Sequence, residues 1–181
     1  MKLLICSDIH GDLRCAEDML RIYDEEGCDR LVLLGDILYH GPRNNLPDNY
    51  APKGVIELLN ARKNEILAVR GNCDTEVDQM VLEFPILADY AYIFDGSLRI
   101  FATHGHKFNT KTPPPLMKGD ILLHGHTHVL KNEDFGNENV YLNPGSVSLP
   151  KEGNPKTYMI YENGTFAVYD FNKKLVFSRS F

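Results

Sequence analysis

Five short apolar runs, each closing on a glycine-bearing polar cluster, constrain this chain more than any bulk property does. Lys2–Cys6 leads into Ser7-Asp8-Ile9-His10-Gly11-Asp12, and Leu31–Leu34 into Gly35-Asp36. Ile66–Val69 leads into Arg70-Gly71-Asn72-Cys73-Asp74, and Phe101-Ala102-Thr103 into His104-Gly105-His106. Ile121–Leu123 leads into His124-Gly125-His126-Thr127-His128. Apolar runs this short, bounded by turn residues, read as buried strands. In α/β sheets, ligands gather beyond the carboxyl ends of strands. The five clusters are therefore expected to converge on one place.

What lies between the runs fits that expectation. Leu13, Ala16, Met19, Leu20 and Tyr23 recur at helical spacing, with Gly27 placed to end the helix. Val55, Ile56, Leu58 and Leu59 suggest a second helix before the third apolar run. The first half thus reads βαβαβ, which calls for parallel strands with helices on a face. The second half changes character. Tyr90–Phe94 and Leu98–Ala102 flank Asp95-Gly96, and Tyr158–Tyr161 and Thr165–Phe171 flank Asn163-Gly164. Both dipeptides are hairpin turn signals, so these strands should be antiparallel. The sum is an α/β sandwich of mixed sheets flanked by helices. Two irregular stretches interrupt it: Tyr39–Pro52, rich in proline, and Gly105–Gly119, whose Pro113-Pro114-Pro115 can be neither helix nor central strand. No boundary is visible, and residues 1–181 are read as one domain.

Bulk properties remove several function classes. There is no apolar run near the roughly 20 residues that cross a bilayer. The N-terminal apolar segment is too short for a signal peptide, which points to the cytoplasm. Cys6, Cys15, Cys28 and Cys73 form no CxxC pair, as expected for reduced thiols. Nineteen Lys and Arg against 25 Asp and Glu give a net charge of −6. So acidic a surface disfavours duplex nucleic acid, whose phosphates need basic neutralisation.

The polar clusters carry metal-binding chemistry. Asp8 and His10 are two apart, as are His126 and His128, and an extended chain puts such pairs on one side. Imidazole nitrogen with carboxylate and amide oxygen, and no thiolate pair, suits divalent first-row metals. Each fragment alone is a weak signal; DxH and GD occur in many ordinary turns. Their order and their shared place after strands make the set specific.

That ordered set, DIHG…GD…GNCD…HGH…GHTH, resembles the calcineurin-like metallophosphoesterase superfamily over nearly the whole chain. Within it, GDILYHGPRNNLP, AVRGNCDTEVDQM and NPGSVSLPKEGNP are similar to the bacterial YfcE-like phosphodiesterases. The resemblance implies a four-layer αββα sandwich and a phosphodiesterase using a hydroxide activated at a two-metal centre. Asp8, His10 and His128 would hold one ion and Asn72, His104 and His126 the other, with Asp36 bridging. The ions would be manganese, with zinc, iron or nickel as alternatives, and the substrate a small phosphodiester. Cys73 stands where many superfamily members carry histidine; it and His106 are the candidates to assist the leaving group. Nearby cations would draw Cys73 toward thiolate. His40 and Arg43, in the first irregular stretch, are candidates to touch substrate, and His124 is read as structural. The same resemblance reaches the retromer small subunit, so a non-catalytic scaffold is the alternative; such a scaffold should have lost ligands. A homodimer or tetramer is also open, given the hydrophobic C-terminal strand.

Overall fold

A computed structural model describes all residues, Met1–Phe181. Two mixed sheets pack face to face. The first has strand order β11-β10-β9-β1-β2-β3 and the second β4-β5-β6-β8-β7. The first sheet is built on β1 (Lys2–Cys6), β2 (Arg30–Leu33) and β3 (Ile66–Ala68), all mutually parallel. The antiparallel strands β9 (Thr157–Glu162), β10 (Thr165–Asp170) and β11 (Leu175–Ser180) extend it. The second sheet mirrors this plan. Here β5 (Leu98–Thr103), β6 (Ile121–Leu123) and β8 (Asn139–Asn143) are parallel, with β4 (Tyr90–Asp95) and β7 (Lys131–Phe135) antiparallel at the edges. Both hairpins form at the two turn dipeptides.

Strand alternation sorts the core. Leu3 and Ile5 of β1 point between the sheets, where they meet Ile100, Ile121, Val140 and Met159. Leu4 and Cys6 point the other way, toward α1 (Leu13–Glu26) and α2 (Pro52–Asn60). Helix α1 begins where the Asp12 side chain accepts from the Cys15 N–H at 3.0 Å. It ends at Gly27, whose φ of 62° allows the cap N–H to reach the Asp24 and Tyr23 carbonyls. A short third helix, α3 (Glu76–Val81), starts with a Thr75–Asp78 capping box and was not expected from periodicity.

The sandwich departs from four regular layers in one respect. Phe101, Leu122 and Tyr141, on the outer face of the second sheet, are covered by Phe108 and Leu116 of the 105–119 stretch, not by a helix. The prolines there forbid helix, so a loop supplies the fourth layer. No helix is long and apolar enough to cross a membrane.

Candidate metal centre

The parallel strands explain where the polar clusters go. β1, β2 and β3 of one sheet, and β5, β6 and β8 of the other, all end at the same edge of the sandwich. The sixth strand end, after β8, was missed in the sequence; it carries Asn143-Pro144-Gly145-Ser146-Val147-Ser148.

Asp8, His10, Asp36, His104 and His128 are all at most 2% exposed. The donor atoms of Asp8, His10 and His128 lie within 4.8 Å of one another, as do those of Asp8, Asp36 and His104. Asn72 and His126 complete the cluster from the other side. His104 Nε2 is 3.1 Å from Asn72 Oδ1 and 3.1 Å from His126 Nδ1. Asp36 stands between the two groups, with Oδ2 3.7 Å from His10 Nε2 and 3.5 Å from His104 Nε2. All seven expected residues are therefore brought together.

They do not converge by strand alternation, as the sequence suggested. β1 ends at Cys6, and Asp8, His10, Asp36, His126 and His128 all adopt left-handed φ values of 50–66°. Such backbone costs of order 1–3 kcal/mol per non-glycine residue and persists only where its surroundings enforce it. Those surroundings are visible. Ser146 and Ser148 donate hydroxyl protons to the Asp8 carbonyl at 2.9 and 2.8 Å. Ser7 donates to Asp8 Oδ2 at 2.6 Å, and the His126 N–H reaches the same oxygen at 3.1 Å. Asp74 is buried and accepts from the backbone N–H groups of Asp36, Ile37 and Gly71 at 2.7–2.9 Å, tying the ends of β2 and β3 together. Glycine is required at position 71 for a different reason. A Cβ there would stand 2.1 Å from Asp36 Oδ1 and 2.2 Å from the Asp36 nitrogen.

The ring orientations fit a cation. His10, His104 and His128 turn Nδ1 to the carbonyls of Tyr39, Leu34 and Leu149 at 2.8, 2.6 and 2.5 Å. A carbonyl can only accept, so Nδ1 carries a proton in each ring and Nε2 is the nitrogen left to face the centre. His10 Nε2 and His128 Nε2 approach to 3.2 Å, and the buried Asp8 Oδ1 has no hydrogen-bond partner. Facing lone pairs and an orphaned carboxylate oxygen are what bound cations would resolve.

Charge balance agrees. Burial opposes ionisation of Asp8, yet the imidazoles of His128, His104 and His10 gathered around it hold its carboxyl well below the usual range. Burial likewise opposes ionisation of His104, but the Asp36 and Asp8 carboxylates push it up to about 9. In the metal-free protein, a proton on His104 thus takes the place of positive charge the carboxylates demand.

The remaining candidates divide. Arg43 lines the cleft above the centre, a cavity of about 330 Å³ shared with Asn44, Thr127 and Lys151. Lys151 was not anticipated; it follows the NPGSVSLP segment that β8 brings to this edge. His40 does not face this cleft. Its ring packs between Tyr39 and Tyr50 at centroid distances of 4.7 and 5.4 Å. Arg70 also turns away, donating from Nε to the Asp74 carbonyl at 3.2 Å. His106 lies 5.4 Å from His104 between ring centroids, and burial with the neighbouring imidazoles pushes it down to about 4. Burial and the Asp36 carboxylate push the Cys73 thiol up to about 12, the opposite direction to the pull that bound cations would exert. His124 stacks on Tyr141 at 4.2 Å, the structural place read for it.

A two-sheet sandwich with histidine, carboxylate and amide donors converging at its parallel strand ends defines the class of metal-dependent phosphoesterase folds. Residues 1–165 match the calcineurin-like phosphoesterase superfamily domain, and the chain belongs to that superfamily. It is 46% identical over 179 residues to the phosphodiesterase YfcE of Escherichia coli K12, covering 99% of this chain and 97% of that one. The solved structure of that phosphoesterase from E. coli superposes with a TM-score of 0.96 at 45% identity, covering 99% of both chains. Probable metallophosphoesterase YsnB of Bacillus subtilis is 24% identical over 167 residues, covering 88% of this chain and 83% of that one. Vps29 of Chaetomium thermophilum shares the fold alone, at TM-score 0.63 and 14% identity, covering 99% and 98% of the two chains.

Proposed function

We propose that this chain is a phosphodiesterase that binds two divalent ions, manganese being our choice among first-row metals. The observation that carries the reading is the place of Asp36 between two donor groups, Asp8–His10–His128 and Asn72–His104–His126. When bound, paired divalent ions lower the pKa of a coordinated water and neutralise phosphoryl oxygens. The chain's own residues supply the rest. Asp36 and Asp8 set the charge of the centre, and the backbone carbonyls of Tyr39, Leu34 and Leu149 fix the tautomers of His10, His104 and His128. Arg43 and Lys151 offer cationic heads on the cleft wall, where an incoming phosphate anion is held. The 46% identical relative bears the name phosphodiesterase, which supports the diester over the monoester as substrate.

A retromer-type scaffold would have no use for seven convergent donors, five of them on left-handed backbone. Four free, buried cysteines agree with a reducing cytoplasm as the working compartment. The test is hydrolysis of bis(p-nitrophenyl) phosphate by protein loaded with manganese, and by the same protein after chelation. We expect turnover to vanish with the metal and return when manganese is restored. An equal rate in the chelated protein would overturn the reading.

A further inference from the structure

Cys73 forms one wall of the metal cleft, and its side chain also lines a second, apolar groove. Its sulfur lies within 4.8 Å of donor atoms of His10 and Asp36, so the groove begins one side chain away from the candidate centre. The groove has a volume of about 300 Å³ and is walled by Leu38, Tyr39, Tyr50, Ile56, Val77 and Val81. Val77, Val81 and Tyr39 are 68%, 43% and 41% exposed. Apolar side chains clustered in water around one concavity mark a binding surface, whereas scattered ones do not.

The groove is preformed. The Tyr39 carbonyl is held by the His10 ring at 2.8 Å. The His40 ring is wedged between Tyr39 and Tyr50, and Tyr50 lies so close to Gly11 that a Cβ there would meet its ring at 2.6 Å. The polar side chains on the α3 wall are already engaged: Thr75 and Asp78 bond each other in the capping box. That wall offers contact area in place of hydrogen bonds. The Asp78 carboxylate also disfavours an occupant that ends in a second phosphate.

A phosphodiester held at the metal ligands has two ester arms. The metal cleft presents Arg43, Asn44, Thr127 and Lys151, all polar, whereas the wall beyond Cys73 is apolar and partly aromatic. We propose that this groove receives one ester arm of the substrate and selects diesters carrying a flat, apolar or aromatic group there, over those carrying a small or polyol group. This rests on reading the neighbouring centre as a phosphodiesterase, and it names the substrate class of that same site.

The test compares p-nitrophenyl phenyl phosphate with p-nitrophenyl methyl phosphate on the manganese-loaded protein. Both release the same phenolate, so the ratio of kcat/KM reads the second arm alone. Burying a phenyl ring should favour the first by roughly tenfold or more. In Tyr50→Ala and in Val77→Asp, the second on an exposed helix position, the ratio should fall toward one. A ratio near one in the wild-type protein, with both diesters turned over, would overturn the groove while leaving the phosphodiesterase reading intact. Calorimetric titration of the manganese-loaded protein with phenylphosphonate and methylphosphonate gives a readout that does not need turnover. Tighter binding of phenylphosphonate by roughly tenfold, lost in Val77→Asp, is expected. If neither diester were hydrolysed but that preference held, the groove would stand and the hydrolase reading would fall. Equal affinities would overturn the groove.

Discussion

Gly71→Ala isolates the packing on which the centre depends. The added methyl would stand 2.2 Å from the Asp36 nitrogen and 2.1 Å from Asp36 Oδ1. Ordinary contact distance is no less than about 3.4 Å, so the chain must open by about 1.2 Å between the ends of β2 and β3. Overpacking of that kind costs about 1–3 kcal/mol. The larger effect is local. Metal ligands tolerate errors of about 0.2 Å, several times less than this displacement. Asp36 would move relative to Asn72 and His104, and at least one equivalent of metal should be lost. Turnover of an aryl diester should fall by ~100-fold or more, as expected when reacting groups are misplaced by an ångström. Gly27→Ala is the matched control. Gly27 has a φ of 62°, and its Cβ would meet nothing within 4 Å. It should lose about 1–2 kcal/mol from left-handed backbone alone and keep its metal. Urea unfolding gives the first quantity, and metal analysis after gel filtration gives the second. Full metal content and wild-type turnover in Gly71→Ala, whatever its stability, would show that the centre does not depend on this close approach.

Three further outcomes follow from the same geometry. Asp36→Ala should lose more than one equivalent of metal and all turnover, while His128→Ala retains binding at the Asn72–His104–His126 group; two bound ions and wild-type activity in Asp36→Ala would remove the bridging role. Because His104 is pushed up to about 9 in the metal-free protein, it is protonated at neutral pH and metal must displace that proton. Apparent affinity should therefore rise with pH until about 9 and then level, with proton release visible by calorimetry in buffers of different ionisation enthalpy; no release at pH 7.5 would contradict it. A thiol is a poorer proton donor than an imidazolium at neutral pH. Cys73→His should then flatten the dependence of rate on leaving-group acidity, with the largest gain on alkyl esters, and identical slopes would exclude position 73 from leaving-group protonation.

Much of this site is legible without coordinates. The apolar runs mark β1, β2, β3, β5 and β6, because a buried strand must be continuously apolar when both of its faces are covered. The polar clusters that follow them mark the edge at which the donors meet. The hairpins are fixed by Asp95-Gly96 and Asn163-Gly164, whose conformational needs are local. The strands missed have weak patterns: β7 reads Lys-Asn-Glu-Asp-Phe, mostly exposed at a sheet edge, and β8 is bounded by asparagines that look like turn residues.

The inventory of candidate donors and their order along the chain can be read from the amino acids alone, since each motif is contiguous and its residue types suit coordination chemistry. Tertiary structure alone decided how those donors face one another. The left-handed backbone at Asp8 is held by Ser146 and Ser148, and that at Asp36 by Asp74 and the close approach of Gly71, partners far away in the chain. The same holds for the fate of His40 and the apolar groove beyond Cys73. The 39–50 loop could have turned its imidazole toward the metal cleft; packing of the ring against Tyr39 and Tyr50 settled it otherwise. Periodicity and propensity describe a residue's own segment, and strain, ring tautomer and groove shape are set by what a folded chain places opposite it.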